Sequence, residues 1–182
     1  MKKLYTYALI ATLLFVSCSK DDDPVAVNEE EVITTLIVTL VPSDASTNVT
    51  LKTQDLDGDG PNAPVVTVSG NLKASLTYAG SVKFLNETET PAEDITLEVE
   101  EEADDHQLFY TVGSGLTMGV ASTNNDSKGN PLGIKFDVKS LSASSGKLTF
   151  TLRHKPKKPN TGLADAGGDT DIEATFDIVI IF

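Results

Sequence analysis

The sequence KLTFTLR, residues 147–153, places an apolar side chain at every second position. The segment IEATFDIVI, residues 172–180, follows the same pattern. A period of two is typical of β-strands that bury one face and expose the other. Similar alternation and flanking turn residues predict nine strands in all, near residues 32–41, 48–54, 65–69, 75–86, 107–113, 116–121, 133–139, 147–154 and 171–181.

Turn-forming residues separate these predicted strands, for example Asp57-Gly58 and Asn124-Asn125. Only residues 91–102 could form a short helix, and no alternation of strands with helices is present. Many short strands joined by turns predict an all-β fold, an antiparallel immunoglobulin-like β-sandwich of eight or nine strands. A closed barrel is the second choice.

The size and charge of the chain narrow the classes of partner. Its 182 residues fit one ordinary domain with a tail. The 14 basic and 27 acidic residues give a formal net charge of −13. Because the phosphate backbone of DNA or RNA would be repelled, no nucleic-acid partner is expected.

The N-terminus has the pattern of a bacterial export signal. Lys2 and Lys3 precede an apolar run, residues 4–16, that is shorter than a membrane span. Cys18, the only cysteine, follows Phe15-Val16-Ser17, which resembles the cleavage site of a lipoprotein signal peptidase. We therefore expect a signal peptide over residues 1–17, a lipidated flexible tether over 18–28, and the β-sandwich over 29–182. The lipid on Cys18 would attach the protein to a membrane.

Chain reversal at each turn predicts which loops share an end of the sandwich. One end, here called the acidic end, collects residues 29–31, 55–64, 87–106 and 155–170, which carry nearly all the loop charge. The opposite end is expected to collect the mostly uncharged loops at 42–47, 70–74, 114–115, 122–132 and 140–146. Charge runs are also common on ordinary solvated surface.

Both histidines fall at the acidic end, in phase with inward-facing residues of their strands. His106 and His154, with the neighbouring Asp104 and Asp105, are candidate ligands for a divalent transition metal. Haem held by the two histidines is an alternative. Two half-buried histidines that hydrogen-bond to carboxylates would also fit the pattern.

An Asp-rich loop offers a calcium alternative. Asp55, Asp57, Asp59 and Asn62 match the start of an EF-hand loop, although Val66 stands where that loop has a bidentate Glu. An Asp/Gly hairpin turn explains the same residues. The sequence contains no motif of nucleophilic, metalloprotease or phosphate-cradling catalysis, so we expect a non-enzymatic protein.

Several segments together resemble a small family of Bacteroidota lipoproteins. These are the lipidation site with the acidic run after it, EEEVITT (29–35), DLDGDG (55–60), EEADDHQLFY (101–110), LRHKP (152–156) and GGDTDI (167–172). Such proteins are similar to those found beside TonB-dependent outer-membrane receptors, and some carry the label "type 1 periplasmic binding fold".

The resemblance implies a lipoprotein exposed on the outer membrane that assists receptor-mediated uptake. Together with the histidines, it predicts capture of a metal ion or metal complex. The alternative is a structural or adhesion module with calcium-stabilised loops.

Overall fold

The computed structural model describes residues 31–58 and 60–182, which form a sandwich of two β-sheets. The predicted signal peptide, Cys18 and the tether lie outside these residues, as do Glu29, Glu30 and Asp59. In chain order the elements are β1 (Thr35–Pro42), β2 (Val49–Gln54), β3 (Val65–Val68), β4 (Leu72–Lys73), β5 (Thr77–Asn86), β6 (Glu93–Asp94), α1 (Ile95–Glu101), β7 (His106–Val112), β8 (Met118–Ser122), β9 (Lys135–Ser140), β10 (Ser144–His154), α2 (Leu163–Ala166) and β11 (Asp169–Ile181).

The first sheet has the strand order β3-β2-β1-β5-β9-β8, with the short β6 paired to β5. The second sheet has the order β4-β11-β10-β7. All pairs are antiparallel except β4 with β11. The expected antiparallel sandwich is therefore confirmed, and the two-residue strands β4 and β6 raise the number of strands in the described residues to eleven.

The core lies between the inward faces of the two sheets. The alternating residues that predicted the strands are buried, including Leu148, Phe150 and Leu152 of β10 and Phe176 of β11. The ring of Phe136 packs 5.7 Å from that of Phe150, measured between centroids. Gly80 of β5 lies opposite Phe136, where a Cβ atom would overlap that ring, so the glycine makes room for the aromatic core.

The segment over residues 91–102 contains a helix, as the sequence allowed. α1 begins after Asp94, whose side chain accepts a hydrogen bond from the backbone N–H of Thr96. Ile95 and Val99 face the core, so the helix covers the acidic end of the sandwich. No helix of the described residues has the length and apolar character that crossing a bilayer requires.

The pairing of β10 with its two neighbours positions the histidines. His154 is the direct cross-strand partner of His106 in β7. On the other side, Leu152 pairs with Ile172 but Arg153 pairs with Thr170, so Asp171 is the extra residue of a β-bulge. A bulge changes the direction of a side chain relative to simple strand alternation.

Candidate metal centre

Four side chains converge where the second sheet meets the N-terminal end of β1. Glu31, His106, His154 and Asp171 each offer one ligand atom, and these atoms all lie within 4.8 Å of one another. Among residues 31–58 and 60–182, these four residues form the group of side chains that could hold a metal ion. His106 begins β7, His154 ends β10, Asp171 lies in the bulge near the start of β11, and Glu31 precedes β1.

The distances between the ligand atoms suit a small ion. Nε2 of His106 lies 2.9 Å from Oε1 of Glu31 and 3.8 Å from Oδ2 of Asp171. Nδ1 of His154 lies 3.4 Å from Oε2 of Glu31 and 3.7 Å from Oδ1 of Asp171. Tetrahedral ligands that each lie about 2.0–2.2 Å from one ion are about 3.3–3.6 Å apart. Each imidazole thus lies near the tetrahedral spacing from a different oxygen of each carboxylate, and one ligand atom per residue lies within 4.8 Å of the others.

All four side chains are shielded from water. The exposed fractions are 0% for His106, 7% for His154, 3% for Glu31 and 6% for Asp171. Two buried carboxylates are unfavourable unless a positive charge balances them. Burial is the main cause that raises the pKa of Glu98 on α1, and the charge of Glu31 adds to it.

The hydrogen bonding of His106 fixes how it faces the carboxylates. Its Nδ1 lies 3.1 Å from the carbonyl oxygen of Glu102, which can only accept, so Nδ1 carries the proton. Nε2 has no hydrogen-bond partner among the described residues, although Oε1 of Glu31 is close by. In the neutral ring, therefore, the lone pair of Nε2 faces a carboxylate oxygen. A histidine that donates from one nitrogen to a carbonyl and leaves the other free is the usual arrangement of a metal ligand.

A buried lysine supports the turn that precedes His106. Nζ of Lys158 donates to the carbonyl oxygens of His106 at 2.5 Å and Ala103 at 2.7 Å. It also lies 3.2 Å from Oδ2 of Asp126, whose side chain is fully buried. With three oxygen partners, Lys158 fixes the backbone from which the His106 ring projects.

Gly168 allows the end of β10, which carries His154, to lie close to the start of β11. Gly168 has a φ of 73°, and a Cβ atom there would overlap the carbonyl oxygen of His154. Only glycine combines this backbone conformation with such a close approach. The contact brings the bulge at Asp171 next to His154.

The structure brings together the two predicted histidines but not the two predicted aspartates. Asp104 accepts hydrogen bonds from Ser127 and lies 3.2 Å from Nζ of Lys128, interactions that lower its pKa. Asp105 is likewise outside the four-residue group. Their places are taken by Glu31 and Asp171.

The sequence pattern does not reveal the two candidate carboxylate ligands, for different reasons. Glu31 was assigned to the acidic end, but it precedes the strand and so has no predictable phase. Asp171 alternates with the apolar Ile172 in the sequence, which predicts an outward side chain, and the bulge reverses that direction. The motif GGDTDI around it, with two glycines before two aspartates, was the available signal of an irregular strand start.

The loop over residues 122–132 was assigned to the wrong end of the sandwich. Asp126 contacts Lys158, and Ser127 contacts Asp104, both at the acidic end. β8 runs back from the opposite end before this loop begins, so the strand count itself places the loop beside the histidines.

The loop proposed for calcium has local partners in its described part. The Asn62 side-chain amide donates to Oδ2 of Asp57 at 2.7 Å, and this hydrogen bond is the main cause of the lowered pKa of Asp57. Asp59 lies outside the described residues, so the calcium site in this loop stays a prediction.

The haem alternative conflicts with the arrangement of the rings. Axial ligands approach haem iron from opposite faces of a flat macrocycle. Here the two imidazole rings are cross-strand neighbours with centroids 4.6 Å apart. No macrocycle fits between side chains packed in this way.

Fold and site together define a β-sandwich with a candidate four-ligand metal centre at one end. Comparison of the chain with protein-family models, with curated proteins and with solved structures gives no match in any of the three. Function is therefore inferred from the geometry of the site and from the N-terminal sequence.

Proposed function

We propose that this protein is a lipid-anchored β-sandwich that binds one divalent transition-metal ion through Glu31, His106, His154 and Asp171. The observation that carries the proposal is the buried Nε2 of His106, which faces a carboxylate oxygen at 2.9 Å while Nδ1 is occupied by the Glu102 carbonyl. A cation bound by both atoms would balance the charge of the buried carboxylate.

The ligand set favours one class of ion. Two imidazole nitrogens and two carboxylate oxygens suit zinc and its neighbours in the first transition series. Calcium takes six to eight oxygen ligands and magnesium keeps several waters, so neither suits this set. A charge of +2 on the ion balances the two carboxylates when both rings are neutral.

The number of ligands bears on how the ion is held. Four protein ligands complete a tetrahedral shell, which is typical of sites that retain their metal and do not present it to a substrate. The burial of all four side chains supports slow exchange. We therefore propose a non-enzymatic metal-binding protein whose ion is tightly held.

The cellular part of the proposal comes from the sequence. A lipid on Cys18 would anchor the protein at the outer membrane, and the family resemblance supports an accessory role beside a TonB-dependent receptor. Substitution of Cys18 by Ser is expected to abolish incorporation of labelled palmitate and to release the protein from the membrane fraction. Retention of both by the variant would refute the anchor.

The metal site is tested by titration of the full chain in detergent after removal of bound metal with a chelator. Zinc, cobalt, manganese and calcium are added separately, and bound ion is measured by calorimetry and elemental analysis. One zinc per chain is expected, and cobalt should give the visible spectrum of a tetrahedral ion with nitrogen and oxygen ligands.

Two variants separate this site from the acidic surface. His106→Ala combined with His154→Ala should abolish zinc binding, whereas Asp104→Asn, a nearby acidic residue outside the cluster, should leave it unchanged. Equal zinc affinity in the double variant and the parent would refute the site. Calcium-dependent stabilisation that survives in the double variant, without zinc binding, would favour the Asp-rich loop instead.

A further inference from the structure

The four ligands come from both sheets of the sandwich. His106, His154 and Asp171 belong to the ends of three adjacent strands of the second sheet. Glu31 belongs to the segment that leads into β1, a strand of the first sheet. An ion held by all four would therefore bridge the two sheets at the point where the chain enters the domain.

The segment over residues 31–33 has few other attachments. Main-chain hydrogen bonds between described residues begin at Thr34, whose N–H donates to Leu85 and whose carbonyl accepts from Asp55. Val32 is 55% exposed, and Ile33 is partly buried against the core. The side chain of Glu31 is thus the main polar hold on this segment.

That hold depends on charge compensation. Glu31 places its carboxylate beside that of Asp171 and 2.9 Å from Nε2 of His106. With a cation bound, the same side chain is attracted to the site. Without a cation, the buried carboxylate of Glu31 lies beside that of Asp171 and away from water, so release of the Glu31 side chain into solvent is favoured.

The segment also forms one side of a groove. A groove of about 390 Å³ is lined by Val32 and Ile33, which follow Glu31, and by Ile172 and Glu173, which follow Asp171. Leu56 and Pro64 line it from the loop between β2 and β3. Two of the metal ligands therefore directly precede residues that line this groove.

We infer that metal binding docks residues 31–33 onto the second sheet and thereby completes the groove beside the site. This inference rests on the proposed metal binding. It assigns a regulatory role to the ion, because occupancy of the site sets how the lipid-anchored N-terminal segment joins the domain. It also makes Val32 and Ile33 a metal-dependent surface.

Hydrogen–deuterium exchange of the full chain in detergent tests the inference, with zinc or with chelator. We expect exchange at the amides of Val32 and Ile33 to slow at least tenfold with zinc, and peptides from the centre of β10 to be unchanged. Cleavage after Glu31 by a Glu-specific protease should slow in parallel. Elemental analysis of the same samples records bound zinc.

Two variants distinguish docking from general stabilisation. Glu31→Gln keeps the three ligands of the second sheet, so it should still bind zinc, more weakly, but lose the zinc-dependent protection of Val32 and Ile33. Glu101→Gln, which removes an exposed carboxylate from α1, should behave as the parent. Bound zinc without added protection in the parent would overturn the inference and leave the metal site intact. Absence of bound zinc would overturn both.

Discussion

Removal of the ion should lower the thermal stability of the domain by an amount that linkage predicts. The four ligands are dispersed along the chain, and three of them come together only when strands of the second sheet pair. The unfolded chain therefore lacks the site. An ion that binds only the folded state stabilises it by about 2.7 kcal/mol when its free concentration is 100 times Kd.

The expected change in Tm follows from this free energy and from the number of residues in the domain. For a domain of about 150 residues, 1 kcal/mol shifts Tm by about 2–4 °C, so zinc at 100 times Kd should raise Tm by about 5–11 °C. Each further tenfold increase in free zinc adds about 1.4 kcal/mol, which corresponds to about 3–6 °C.

Differential scanning calorimetry of the full chain in detergent, in zinc buffers of known free concentration, measures both quantities. The variant with His106→Ala and His154→Ala should show no dependence on zinc, whereas Asp104→Asn should follow the parent. A Tm that is the same in chelator and in zinc, or that rises equally in the double variant, would refute the reasoning.

Three further predictions concern the surroundings of the site. Lys158→Met should destabilise the chelated protein by about 3–5 kcal/mol in denaturant titrations because it leaves the buried Asp126 without its cation, and less than 1 kcal/mol would contradict this. Gly168→Ala should lower the free energy of unfolding by about 2–4 kcal/mol, because the added Cβ strains the backbone and overlaps the His154 carbonyl oxygen. Gly129→Ala should lower it by only about 1–2 kcal/mol, because Gly129 also has a positive φ but no atom lies close to the added Cβ. Burial acts to raise the pKa of Asp126, but its hydrogen bonds, including that from Lys158, lower it below the ordinary 3.8. Ionised Asp126 thus stabilises the fold at pH values above 3.8, and this contribution is lost as the pH falls below that value. The difference in free energy of unfolding between the parent and Asp126→Asn should therefore shrink between pH 6 and pH 3. A difference that stays constant would exclude Asp126 as the source of the pH dependence.

The sequence predicted the sandwich because nearly every strand keeps a strict period of two, as in Leu148, Phe150 and Leu152. It predicted that His106 and His154 share one end for the same reason, since strand phase and chain reversal are local properties. Their direct pairing depends on which strands are neighbours, and the sequence does not encode that simply. β10 lies between β7 and β11, an order that only the assembled sheet reveals.

The carboxylate ligands required information that periodicity does not carry. Asp104 and Asp105 were chosen because they adjoin His106 in the chain, but neighbours in a strand or tight turn point in different directions. Asp171 faces the histidines only because a bulge interrupts its strand. Glu31 does so from the segment before β1, where no strand period applies.

The location of the site fits the proposal that this domain is exported. Such domains commonly cross-link their sheets with disulfides, but this chain has one cysteine, which the N-terminal pattern assigns to the lipid. At the acidic end, the strand ends of the second sheet approach the entry of β1 with two carboxylates and two imidazoles between them. An ion there joins the two sheets as a disulfide would, through ligands instead of a covalent bond. Because it also includes Glu31, the same link fixes the residue that leads toward the proposed membrane anchor.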